Sequence, residues 1–139
     1  MKNLDIRDEP EFVVAWVKAE SGPAGAKEAF EKLESRLPTL KGRKMYGIFF
    51  RDPGNYYAAV RLNEAQIDDM GLERGVIPAG LYARTKLEDW FGNEYRISWA
   101  FKSLDDLCRK KGYVPDDTRP DIEFYRSNKE VIVMVPIRR

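Results

Sequence analysis

The sequence predicts an α+β fold: a pseudo-twofold pair of βαββ units, with an antiparallel sheet, two main helices and a cleft between the halves. Three observations predict it. The order strand, helix, hairpin is written twice, over about residues 1–70 and 76–139 of one domain. Each helix carries a single apolar stripe at helical spacing. The hairpins overlay by their turns, Gly47-Ile48-Phe49-Phe50-Arg51-Asp52 on Ile122-Glu123-Phe124-Tyr125-Arg126-Ser127. That overlay sets Ile48 against Glu123 and Phe50 against Tyr125. It is a repeat of pattern, since identity between the halves is low.

The elements follow in order. Phe12 to Val17 is a valine-rich apolar run and reads as the first strand. Ser21-Gly22-Pro23 stops it, and Pro23 suits the first turn of a helix. From Ala24 to Leu37, Ala26, Ala29, Phe30, Leu33 and Leu37 recur at helical spacing, and Pro38 ends the run. Lys41-Gly42-Arg43-Lys44 is read as a solvated loop. Met45 to Phe50 and Tyr56 to Leu62 form a hairpin around Arg51-Asp52-Pro53-Gly54-Asn55. Asn63 to Gly75 is polar and is read as the connector.

The second half opens with a strand from Val76 to Leu87, broken near its start by Pro78-Ala79-Gly80. Glu88 to Gly92 is a loop. A helix starts at Gly92 or Asn93 and runs to about Lys111, on a stripe of Ile97, Ala100, Phe101, Leu104, Leu107 and Cys108. Arg109, Lys110 and Lys111 suit the negative end of its dipole, and Gly112 suits the position after it. A last hairpin joins Arg119–Tyr125 to Val131–Ile137 through Arg126-Ser127-Asn128-Lys129.

Composition narrows the function. The chain has 139 residues, 24 Lys plus Arg and 23 Asp plus Glu, for a net charge of +1. That balance argues against a nucleic-acid surface and against a polybasic membrane patch. No apolar run reaches the roughly 18 residues that a span needs, and the first ten residues lack the apolar core of a signal peptide. A cytoplasmic protein is expected. The chain has one cysteine and no histidine, which removes internal disulfides, histidine-based catalysis and histidine-ligated zinc or haem. No cofactor and no metal is expected. Aromatic residues make up 12% of the chain, and such side chains line pockets for flat ligands as readily as they fill cores.

Glu123 stands in the middle of the last hairpin. Alternation places Asp121, Glu123 and Tyr125 on one side of their strand and Ile122 and Phe124 on the other. A carboxylate there either faces water, pairs with an arginine such as Arg61 or Arg84, or sits at the bottom of a pocket and receives a cation. Trp99 lies roughly opposite the apolar stripe of its helix, so it covers a strand end, lines a cavity or meets another molecule. Trp90 is read as a loop anchor before a lid. Tyr46, Ile48 and Phe50 share one face, and the overlay directs that face into the same space as Glu123 and Tyr125. Tyr82 is read equally as a core tyrosine or a pocket residue.

Four stretches together resemble the GyrI-like small-molecule-binding domains, relatives of the effector-binding domains of multidrug-sensing bacterial transcription activators. They are Ala29-Phe30-Glu31-Lys32-Leu33; Tyr46-Gly47-Ile48-Phe49-Phe50-Arg51-Asp52-Pro53; Ile77-Pro78-Ala79-Gly80-Leu81-Tyr82-Ala83; and Trp99 with Gly112-Tyr113 and Asp121-Ile122-Glu123-Phe124-Tyr125. The resemblance covers nearly the whole chain. It implies that Glu123 matches the glutamate that receives cationic aromatic compounds, and that Trp99 matches an aromatic of the pocket wall. The DNA-binding helix-turn-helix of the activators is missing, and so is a histidine for the haem-binding relatives. The resulting expectation is a stand-alone module that sequesters or senses flat cationic aromatic compounds through Glu123, Trp99, Tyr46, Phe50, Tyr82, Tyr125 and Ile48. Two alternatives stand beside it. One is a hydrolase of a toxic small molecule using Glu123 and a tyrosine. The other is a protein–protein modulator of DNA gyrase.

Overall fold

The structure, a computed structural model, describes residues 4–39, 42–63, 71–127 and 129–138. Residues 64–70 of the expected connector, Lys41 of the basic loop and Asn128 of the last turn lie outside them. The strands are β1 (Asp5–Glu9), β2 (Phe12–Lys18), β3 (Met45–Phe50), β4 (Asn55–Leu62), β5 (Glu73–Ile77), β6 (Gly80–Glu88), β7 (Asp121–Tyr125) and β8 (Glu130–Pro136). The helices are α1 (Ala26–Ser35), entered through a 3-10 turn at Gly22–Gly25, and α2 (Tyr95–Lys110). None is long and apolar enough to cross a membrane.

All eight strands form one curled antiparallel sheet, in the order β1-β6-β8-β7-β3-β4-β2-β5. The order is a palindrome of the two βαββ units. In each unit the strand before the helix pairs with the last strand of the hairpin, and β3 and β7 meet at the centre. The outermost strands are exchanged. β1 precedes the first unit but pairs with β6 of the second, and β5 precedes the second but pairs with β2 of the first. Neither strand was expected. β1 reads Asp-Ile-Arg-Asp-Glu and shows no strand-like apolar pattern, while β5 takes up the end of the polar stretch assigned to the connector and the start of the expected Val76–Leu87 strand.

The sheet divides the core in two. On one face α1 packs Ala29 and Leu33 against Ala15, Tyr56, Ala58 and Val60, and α2 packs Ile97, Ala100, Leu104 and Cys108 against Ala83, Val131, Val133 and Val135. Burying an aliphatic side chain in this way contributes about 1.5–3 kcal/mol. Among the described residues the other face bears no helix and is covered by its own aromatic and aliphatic side chains, among them Tyr46, Ile48, Tyr82, Ile122 and Met134, flanked by Trp16, Tyr57 and Phe124. An ion cluster joins the centre of the sheet to α2. Arg51 donates to both carboxylate oxygens of the buried Asp121 (2.9 and 3.0 Å) and to Asp105 (3.3 Å). Gly112 follows α2 with φ +86°, a left-handed position that glycine takes without strain.

Candidate functional site

The register between β3 and β7 decides which side chains share a site. Gly47 lies opposite Glu123, Met45 opposite Tyr125, and Tyr46 opposite Phe124. Residues directly opposite in an antiparallel pair point to the same face. Glu123 and Tyr125 therefore face the helices, whereas Tyr46, Ile48 and Phe50 face the helix-free side. The overlay by turns is off by one residue, and a slip of one inverts every side chain. The expected set does not converge on one space.

Glu123 keeps a little accessible surface, but its carboxylate is deep among protein atoms. It meets no arginine among the described residues; Arg84 pairs instead with Glu9 (3.1 Å), and Arg61 lies over the Phe12 ring. Its partners are hydroxyls. Tyr56 donates to Oε1 at 2.5 Å, and Tyr125 donates to the same oxygen at 2.6 Å. Gly47 makes room, because a Cβ there would overlap both the carboxylate and the Tyr56 hydroxyl. Burial raises the Glu123 pKa above the ordinary carboxylate value, against the lowering effect of the two hydroxyl hydrogen bonds. Burial and the adjacent carboxylate push both phenols up as well, so they remain donors.

Above this group lies a cleft of about 660 Å³ between α1 and the loop that leads into α2. Tyr125 links the two levels, its hydroxyl on Glu123 and its ring in the cleft. Phe30 of α1 stands edge-on to that ring at 5.5 Å, and Trp90 leans on it at 5.0 Å. Phe91 and Met45 complete the apolar lining. Glu31, Glu34 and Glu94 also line the cleft, against one basic residue, Lys27. Four rings with carboxylates around them make a setting for a cation, because ring faces and anions attract positive charge together. The hydrogen bond from Tyr125 to the carboxylate also polarises the phenol in the same sense.

The other expected residues lie elsewhere. Trp99 is 61% exposed and points away from the sheet side of α2; it lines neither described cavity. Phe50 stands edge-on to Trp16 and Tyr57 on the helix-free face. Ile48 is fully buried. Tyr46 and Tyr82 share a smaller cavity on that face. Tyr82 donates to the Pro78 carbonyl (3.2 Å), and its pKa is pushed up to about 12, chiefly by burial.

Sequence reasoning missed Tyr56, Phe30, Met45 and the three glutamates. The hairpin pairing of Tyr56 was legible, but its meeting with Glu123 rests on the register between the units. In the β3–β4 hairpin Tyr56 pairs with Phe49, two residues from Gly47, on the face that Glu123 occupies. Trp90 is the anchor that was expected, through its indole N–H to the Ser127 carbonyl (3.0 Å), and it is a cleft wall too.

No protein-family model and no curated protein sequence matches the chain. Solved structures do. The EcmrR C-terminal domain superposes with a TM-score of 0.71 at 9% identity, over 99% of this chain and 98% of that one. SAV2435, solved bound to tetraphenylphosphonium, superposes with a TM-score of 0.63 at 10% identity, over 98% and 94%. A hydrolase from Listeria innocua superposes with a TM-score of 0.66 at 12% identity, over 99% and 92%. At these identities the shared property is the fold, and the fold fits that of GyrI-like domains.

Proposed function

We propose that this protein binds flat cationic aromatic compounds in the cleft between α1 and the β6–α2 loop, as a sensor or a sequestering module. One observation carries the reading: the Phe30, Trp90 and Tyr125 rings converge in the cleft, and the Tyr125 hydroxyl ends on a buried carboxylate that is paired with hydroxyls and with no cation among the described residues. A cation on the Tyr125 ring gains the ring face and the Glu123 charge beneath it. It also relieves the cost of holding that charge in a poorly solvated place. A TM-score of 0.63 to a protein solved with tetraphenylphosphonium, a tetrahedral aromatic cation, supports the cationic and aromatic character of the ligand. Titration with tetraphenylphosphonium, followed by calorimetry and by tryptophan fluorescence, tests it. Saturable binding that Trp90→Ala and Glu123→Gln each weaken is expected; binding indifferent to both substitutions overturns it.

A second reading, hydrolysis of a small molecule, has one observation in its favour. Two phenol hydroxyls on one carboxylate oxygen form an acid–base pair in which Glu123 activates water and Tyr125 protonates a leaving group. Product formation from candidate substrates, read by mass spectrometry and lost in Glu123→Gln, separates hydrolysis from binding.

A further inference from the structure

We infer that the helix-free face carries a second binding site, one that takes a small aromatic carboxylate. The cavity there has a volume of about 120 Å³, room for a single small ring and too little for the flat compounds of the cleft. Its floor is aromatic. Tyr46 stacks on Phe124 with centroids 4.8 Å apart and planes 17° from parallel, and Phe12 lies 5.1 Å from Tyr46.

Its rim is basic. Lys44, Arg61 and Arg84 line it with one acid, Glu9. Arg84 already holds Glu9 at 3.1 Å, so those two charges cancel. Lys44 and Arg61 remain, and neither makes an ion pair among the described residues. Their backbones are joined, Arg61 N–H donating to the Lys44 carbonyl (2.9 Å), so both side chains leave from one level of the β3–β4 edge. Phe12 steadies the Arg61 guanidinium, 4.6 Å above its ring. The planar fork of arginine matches a carboxylate in two bonds. The Tyr46 hydroxyl faces the same guanidinium, and burial raises its pKa against the lowering effect of Arg61, so it keeps its proton beside the fork. Aromatic rings at the base and an arginine fork at the rim select a ring that bears a carboxylate. Tyr46 and its neighbour Met45 point to opposite sides of β3, so the sheet separates this site from the cleft.

Benzoate, benzamide and inorganic phosphate are the probes. Benzoate should shift the NMR signals of the Phe12, Tyr46 and Phe124 rings and leave Phe30 and Tyr125 in place. Its affinity should exceed that of benzamide and of phosphate by about tenfold or more, roughly the contribution of one charged contact. Tetraphenylphosphonium should not displace it. Arg61→Met should lose at least that factor, and Arg61→Lys less. The mapping on the unsubstituted protein stands whether or not Arg61→Met folds. Equal binding of benzoate and benzamide, tighter binding of phosphate, or shifts at Phe30 and Tyr125 would each overturn the inference. Because the sites lie on opposite faces, failure here leaves the reading of the cleft intact.

Discussion

Gly47 lies directly opposite Glu123 across the β3–β7 ladder, and the space its missing side chain leaves is the space the carboxylate fills. The Tyr56 hydroxyl meets Glu123 over that same backbone. The acid at the centre of the molecule thus depends on a residue with no functional group.

Gly47→Ala should destabilise the fold by about 1–3 kcal/mol, the usual cost of overpacking. The methyl group would overlap a carboxylate and a phenol that hold one another in place. Urea denaturation checks this. A midpoint equal to that of the unsubstituted protein would show that the three groups have room to spare.

Glu123→Gln should raise the melting temperature near neutrality. The sign follows from the raised pKa. A group with a higher pKa folded than unfolded stabilises the fold fully below its unfolded value, and that contribution is lost as pH rises through the folded value. Acidification should therefore close the gap between the variant and the unsubstituted protein, which a pair of melting series at neutral pH and at about pH 5 reads directly. The same variant should bind tetraphenylphosphonium more weakly by about 1.5–3 kcal/mol, the worth of a charge-assisted contact. In the unsubstituted protein that affinity should fall as Glu123 protonates.

Tyr56→Phe and Tyr125→Phe remove one donor each from the same oxygen, but they should behave differently. Loss of the Tyr56 hydroxyl deep under α1 should cost stability of about 1–3 kcal/mol, since it leaves a buried acceptor short of a partner. Loss of the Tyr125 hydroxyl leaves its ring in the cleft and frees one acceptor position of Glu123 just below. Cation affinity should hold or rise. Equal effects of the two changes on both readouts would argue that the hydroxyls play one role.

Trp99→Ala should leave cation binding unchanged, because Trp99 points to solvent. Trp90→Ala should weaken it by about 0.5–2 kcal/mol, the range for a cation–π contact. Parallel calorimetric titrations of the two variants decide which tryptophan serves the site.

Much of the fold was legible in the chain. The stripe of Ile97, Ala100, Leu104 and Cys108 marks α2, and Pro23 and Pro38 bracket α1. The last hairpin and its alternation, with Glu123 and Tyr125 on one face and Ile122 and Phe124 on the other, follow from local pattern. What escaped is non-local. β1 is a charged strand whose partner, β6, lies far along the chain, so nothing near it marks it as a strand. The face shared by Tyr46, Ile48 and Phe50 depended on a register fixed by pairing between the units, and turn chemistry reports only on the pairing within each hairpin. The wall from Phe30 to Trp90 needed α1 and the loop before α2 to be placed side by side.

The exchange of β1 and β5 makes the two units mutually dependent. A first unit cut off before β5 would expose the open backbone edge of β2 and keep a β1 with no β6 to receive it. Such an edge is a template for pairing with another chain. Two copies of one half could answer each other's open edges, each lending its first strand to the other, so the smallest self-sufficient form of this architecture is a pair of units, fused in one chain or assembled from two. Expressed apart, neither half should persist as a monomer, each passing to a swapped pair or to aggregates; expressed together, the two should find each other through the same clasp.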